Sequence, residues 1–240
     1  MQMTDTLIRT KLRLPFIRPG LVLRPRLQDR IAQGLCGPLT LITAPAGFGK
    51  TTLVASYVTG CGMPVAWLSL DKDDNQGGRF LHYLVAALQE ADDTIGGEAA
   101  QLLAASQQVP SEAVLTSLIN DLDENGREIA LVLDDYQFIK SQDVHKAVAF
   151  LLEHCPNIFH LVIATRSDPL LPLSRLRARG QMIELRAADL RFTELEAAQF
   201  LNEVMDLHLD DRSVTVLEER TEGWIAGLKM AAITIQSALS

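Results

Sequence analysis

The chain has 240 residues, 48% of them hydrophobic, and a formal net charge of −8. That length suffices for one α/β domain with a small companion, and the acidity argues against nucleic-acid binding as its main business. Three cysteines without paired spacing give neither a disulfide framework nor a zinc site, and no apolar run approaches a membrane span, so a reduced, cytoplasmic protein without membrane contact is expected.

The N-terminal stretch MQMTDTLIRTKLRLP is polar and proline-bearing, unlike a signal peptide. Residues 1–30 hold seven Arg/Lys against two Asp, whereas residues 191–240 hold four against nine Asp/Glu, so the two ends meet different surroundings. A turn at Arg18-Pro19-Gly20 leads to Val22, Leu23 and Arg24, then to a helix over about 26–35 with Leu27, Ile31 and Leu35 on one face. Val22–Arg24 reads either as a segment offering backbone groups to a nucleotide base or as an edge strand or packing arm. The basic residues of the arm read as a solvated surface, since no aromatics interleave them.

Leu39–Thr52, LTLITAPAGFGKTT, is the stretch around which the chain is organised. A β-branched apolar run ends in a small loop, and Lys50 opens a helix. Gly47 and Gly49 let backbone N–H groups curl around an anion beside the positive end of that helix. Lys50 is placed for β- and γ-phosphates and the Thr51 hydroxyl for Mg²⁺. Ala44 stands where the usual pattern begins with Gly.

Residues 64–70 read as a second strand running into the acidic turn Asp71–Asn75, followed by a helix over 79–91. Ser111 is expected to cap a further helix that ends at Asn125-Gly126. Residues 129–135, IALVLDD, form a buried strand with two carboxylates at its end. Asp134 suits Mg²⁺, and Asp135 suits an attacking water. A helix over 144–154 follows. His145, His154 and His160 lack metal-ligand spacing and read as surface or boundary residues.

Residues 161–166, LVIATR, form the next strand. Arg166 at its end reads as a γ-phosphate sensor or as a polar strand stop, and the sensor is preferred because neighbouring strands already deliver the loop and the acids. The arginines of RLRARG, Arg175, Arg177 and Arg179, read as a phosphate-closing lid or as a solvated helix end. Residues 182–185 give a fifth strand. The remainder is helical: Thr193 and Glu196 form a capping box, Leu195, Ala198, Leu201, Val204 and Met205 are expected on one apolar face, a helix covers 211–221, and Trp224 begins a last apolar helix.

Five apolar runs alternating with helices predict a parallel sheet with right-handed crossovers, whose carboxyl edge binds ligands. Gly47–Thr51, Asp134, Asp135 and Arg166 all fall just past strand ends and are expected to converge there. No Asn-Lys-x-Asp guanine motif occurs.

The stretches KLRLPFIRPGLVLRPRL, TAPAGFGKTT, VAWLSLDKDDN, LVLDD, LVIATRSDPLLPLSRLRARGQMIEL, LRFTELEAAQFL and TEGWIAGLKMAA resemble, in order and over nearly the whole chain, the nucleotide-binding module of MalT-like, ATP-dependent LuxR-type regulators. These are members of the signal-transduction NTPases with numerous domains (STAND). The resemblance implies a five-stranded parallel P-loop NTPase sheet of the ASCE type over 1–188 and a small all-helical domain over 189–240, clamping ATP or ADP with Mg²⁺. It makes Ala46, Gly47, Phe48, Gly49, Lys50, Thr51 and Thr52 the phosphate loop, and Asp134 and Asp135 the acidic pair. Arg166 becomes the sensor and Val22–Arg24 the adenine-side segment. Wider relatives carry Gly-x-Pro where this chain has Gly223-Trp224-Ile225. The resemblance also implies a longer regulator with winged-helix, sensor and DNA-binding domains, slow ATPase activity, and self-association with ATP. The competing reading is a small-molecule kinase using Arg175–Arg179 as its lid.

Overall fold

The computed structural model describes residues 7–17, 19–105 and 109–239. The first six residues, Arg18 of the expected turn and the last residue of the chain lie outside that description. Five strands, β1 (Leu39–Thr43), β2 (Val65–Ser69), β3 (Ile129–Asp134), β4 (Phe159–Thr165) and β5 (Met182–Arg186), form one sheet in the order β2-β3-β4-β1-β5. Every pairing is parallel. Parallel strands need crossovers, and the helices that supply them cover both faces, so β1, β3 and β4 are buried at every position.

Before β1 lies α1 (Pro25–Gly34), and between β1 and β2 lies α2 (Lys50–Val58). Then come α3 (Gly77–Ala91), α4 (Gly97–Ala105), α5 (Ser111–Asn125), α6 (Gln142–His154), α7 (Leu173–Ala178), α8 (Ala187–Leu190), α9 (Glu194–Gln199), α10 (Asp211–Thr221) and α11 (Ile225–Leu239). The period-two alternation of the strands divides the core. Leu39, Leu41, Leu131, Leu133, Leu161 and Ile163 face α3–α6, whereas Ile42, Ala130, Val132 and Val162 face α1 and α2. A third cluster joins Phe192, Phe200 and Leu201 to Val214, Leu228 and Ala232 of the C-terminal helices, and Val22 of the arm inserts into it.

Several local expectations change. Helix α4 had no expected counterpart, because a nine-residue run after Gly96-Gly97 offers too few turns for a clear stripe. Ser111 sits inside α5 and makes no side-chain cap; Pro110 precedes it at the cap position. His145 and His160 are buried, not at the surface: His145 Nδ1 meets the Tyr136 hydroxyl at 3.0 Å and His160 Nδ1 lies 3.0 Å from the Gly37 carbonyl oxygen. Leu195 is 84% exposed and drops out of the expected face, whereas Leu201 is buried and Ala198, Val204 and Met205 pack against the C-terminal cluster as expected, joined by Ala197 and Phe200. The Thr193–Glu196 capping box forms as expected.

Candidate functional site

Residues 44–49 link β1 to α2. Gly47 and Gly49 have φ of +78° and +77°, a conformation that only glycine enters without steric cost. The loop therefore curls, and Lys50 Nζ bridges it by donating to the Ala44 and Pro45 carbonyl oxygens at 2.7 and 2.9 Å. Thr51, on the first turn of α2, donates to the Asp134 carboxylate, 2.9 Å from Oδ2 and 3.1 Å from Oδ1. Eighty-three positions separate the two residues. The sheet order brings them together, since β4 alone intervenes between β1 and β3.

Burial raises the Asp134 carboxyl to about 6, the Thr51 hydrogen bond opposes that rise, and the neighbouring Asp135 adds to it. Burial also pushes Lys50 below its ordinary value; Arg166 adds to this, while Asp135 and Asp134 oppose it. Lys50 thus feels Arg166, Asp134 and Asp135, and all of them lie at or just past the carboxyl ends of neighbouring strands. Arg166 itself is exposed, one residue past β4.

Asp135 falls outside the strand, at φ +57°, a left-handed conformation uncommon for a residue with a side chain. The turn over Tyr136–Phe138 folds Gln137 back, and its Nε2 donates to Asp135 Oδ1 at 2.7 Å. Sequence reasoning missed Gln137, because no spacing rule marks a residue two positions past an acid.

A cavity of about 670 Å³ opens beside the loop. Gly47, Gly49, Thr51 and Thr52 line its loop side. Its opposing wall is apolar, with Phe192, Phe200, Val204 and Met205 from the C-terminal helices. Val22 and Arg24 reach the cavity but Leu23 does not: its side chain is 62% exposed. The arm also pins the C-terminal helices. Arg24 Nη2 and Arg26 Nε each lie 3.0 Å from the Glu196 carboxylate, and both guanidinium groups donate to the Arg191 carbonyl oxygen. Burial pushes Glu196 up, but the hydrogen bonds from Arg26 and Arg24 outweigh it and hold the carboxyl below its ordinary value.

The segment Gly223-Trp224-Ile225 lies directly on the loop although it lacks proline. Trp224 Nε1 donates to the Ala46 carbonyl oxygen at 3.1 Å and the Ala226 N–H to the Gly47 carbonyl oxygen at 3.2 Å. A Cβ on Gly47 would stand 2.7 Å from Ala226 Cβ. Phe48 points away from the cavity and packs with the α1–α2 side of the core.

Two of the three arginines of the run are held by carboxylates. Arg175 pairs with Glu153, and Arg177 with Glu184 and Asp168. Among the described residues no cluster of three or more His, Cys, Asp or Glu could hold a metal ion, and no helix is long and apolar enough to cross a membrane. Thr51 and Asp134 still fit Mg²⁺: both offer hard oxygen, and a buried carboxylate gains from a cation, with nucleotide oxygens and water supplying the other ligands.

No protein-family model matches the chain. It is 35% identical over 237 residues to the HTH-type transcriptional regulator MalT of Serratia proteamaculans, a match spanning 98% of this chain and 26% of the relative. The chain is a MalT-like P-loop NTPase module. The module is also 35% identical over 230 residues, 95% of its length, to the serine/threonine-protein kinase PknK of Mycobacterium tuberculosis, of which it spans 21%. Its fold matches the STAND protein with a tetratricopeptide repeat sensor from Pyrococcus horikoshii at a TM-score of 0.64 and 16% identity, over 90% of this chain and 30% of that one. The module thus spans about a quarter of the length of the curated relatives it matches.

Proposed function

We propose that the module is an ATP/ADP switch with slow Mg²⁺-dependent ATPase activity, acting in a cytoplasmic, inducer-responsive LuxR-type transcriptional activator. The observation that carries this reading is the Thr51–Asp134 contact across two strand ends, beside a lysine-bearing glycine loop and a nucleotide-sized cavity. Ala46–Thr52 wrap the phosphates through backbone N–H groups, and Lys50 neutralises the β- and γ-oxygens. Thr51 and Asp134 hold Mg²⁺, which would screen the charge developing on the phosphoryl oxygens. Asp135 orients and deprotonates the attacking water, and Arg166 reports the terminal phosphate. Val22 and Arg24 lie on the adenine side. The expected division at 188/189 cuts α8, whose Leu190 packs with the sheet-side core, so the helices that close on the sheet begin at Phe192.

The γ-phosphate shifts the arrangement of these two parts only by its differential affinity for each. ADP would hold the parent protein closed, whereas inducer with ATP would favour self-association and promoter binding by domains outside this chain. Hydrolysis resets the switch. The kinase alternative is weaker, because two of its three lid arginines, Arg175 and Arg177, are engaged with carboxylates. Calorimetry with parallel phosphate-release assays tests the reading. Asp135→Ala is expected to retain ATP uncut, and Lys50→Ala to lose binding by about a hundredfold, as for a charge partner removed from a desolvated pair. Equal ATP affinity in wild type and Lys50→Ala would refute it.

A further inference from the structure

The cavity has two cationic residues in its wall, Arg24 and Lys229. Arg24 is spent: it pairs with Glu196, caps the Arg191 carbonyl and lies 4.4 Å from the Phe192 ring centroid. Lys229 has no ion pair or side-chain hydrogen bond among the described residues. It stands on α11 with Ile225 and Ala226, at the i, i+1 and i+4 spacing that puts all three on the face meeting the loop. Ala226 is anchored to Gly47 by its N–H, so Lys229 sits one turn, about 4.5 Å along the axis, from that anchor. Its ammonium on a flexible four-carbon stem suits a phosphate oxygen.

Which phosphate it meets follows from what surrounds it. Lys50, Asp134, Asp135 and Arg166 stand at the strand ends, and none of them lines the cavity. The cavity groups Lys229 instead with Thr52, Ala55 and Ser56 along α2, away from that edge. A polyphosphate with its terminal group at Lys50 and Asp134 would therefore enter the cavity with its first phosphate, beside the stretch of lining that Lys229 shares with Thr52 and Ser56.

We propose that Lys229 binds the α-phosphate of the nucleotide and so ties the last helix to bound ATP and ADP alike. The proposal rests on the nucleotide-binding reading above. Calorimetric titration of ATP and ADP with Mg²⁺ into wild type, Lys229→Met and Lys229→Arg tests it. Methionine keeps the helix propensity and length, so the melting temperature without nucleotide should stay unchanged. Lys229→Met is expected to weaken both nucleotides equally, by about fivefold, as for a partly exposed charge-assisted contact, and Lys229→Arg to restore both. Unchanged affinities would overturn the proposal. A loss confined to ATP would also overturn it, because it would move Lys229 to the terminal phosphate. If wild type and Lys50→Ala bind ATP equally, the nucleotide-binding reading fails instead, and that result is distinct from either outcome.

Discussion

The two walls of the cavity are built on opposite principles. The sheet-edge wall presents Gly47, Gly49, Thr51 and Thr52 and is braced from behind by short-range polar contacts: two glycines in left-handed conformation, Lys50 across the loop, and Thr51 against a buried carboxylate. The helical wall is apolar, made by Phe192, Phe200, Val204 and Met205, and is held in place by a few polar ties. The first wall sits on strands buried on both faces and can hold phosphate oxygens rigidly. The second rests on its own small core and touches the loop through Trp224 and Ala226. A switch needs this inequality: one surface fixed enough to bind, the other attached loosely enough to respond.

Gly47→Ala should break the comparison most severely, because position 47 belongs to both walls. The new Cβ would face Ala226 Cβ at 2.7 Å on a backbone with φ +78°. Strain of about 1–3 kcal/mol is expected together with loss of nucleotide binding, read by thermal denaturation and calorimetry. Glu196→Ala attacks only the helical wall. It strips a buried carboxylate from Arg24 and should cost about 3 kcal/mol by chemical denaturation, with phosphate-loop chemistry intact in the folded fraction.

The same carboxylate gives a pH signature. Its folded pKa lies below its ordinary 4.5, so its contribution is fully present above that value and is lost as pH falls through the folded pKa. The stability gap between wild type and Glu196→Gln should therefore narrow below pH 4.5.

Gln137→Met acts on the sheet edge alone. Freeing the Asp135 carboxylate should lower the hydrolysis rate by about tenfold, in the range of misplaced general-base catalysis, and leave ATP affinity unchanged. Trp224→Phe removes the indole hydrogen bond to Ala46 and should cost about 1 kcal/mol. Arg175→Ala sits at the bottom of the scale. Its pair with Glu153 is about half exposed on both sides, so less than about 0.5 kcal/mol is expected, with ATP affinity unchanged. A marked affinity loss there would revive the lid reading.

The contrast also explains what the sequence could reveal. Strand ends and a glycine loop obey short local rules, and the parallel sheet then forces their convergence, so the placement of Lys50, Thr51, Asp134, Asp135 and Arg166 at one sheet edge was legible before any coordinates. The five strands were legible for the same reason: each is a compact apolar run. The helical wall follows no such rule. Phe192 and Phe200 became cavity residues through the packing of short helices, and the inward face begins at Glu196 and Ala197, one residue after the exposed Leu195, while Leu201, Val204 and Met205 pack where periodicity put them. Leu23 faces out because its neighbours Val22 and Arg24 are both used, one in the helical core and one by Glu196. His145 and His160 read as surface residues because their hydrogen-bond partners, Tyr136 and the Gly37 carbonyl, cannot be seen from spacing.

The indole of Trp224 gives the module an optical readout of its own state. The chain has two tryptophans; Trp67 is 1% exposed inside the sheet layer, while Trp224 is 37% exposed at the rim of the loop. Trp224, at the solvent boundary, is the more responsive of the two, and Trp224→Phe separates its emission from that of Trp67. Release of the last helix from the Ala46 carbonyl would thus be visible in unlabelled protein, in real time, as nucleotide is added.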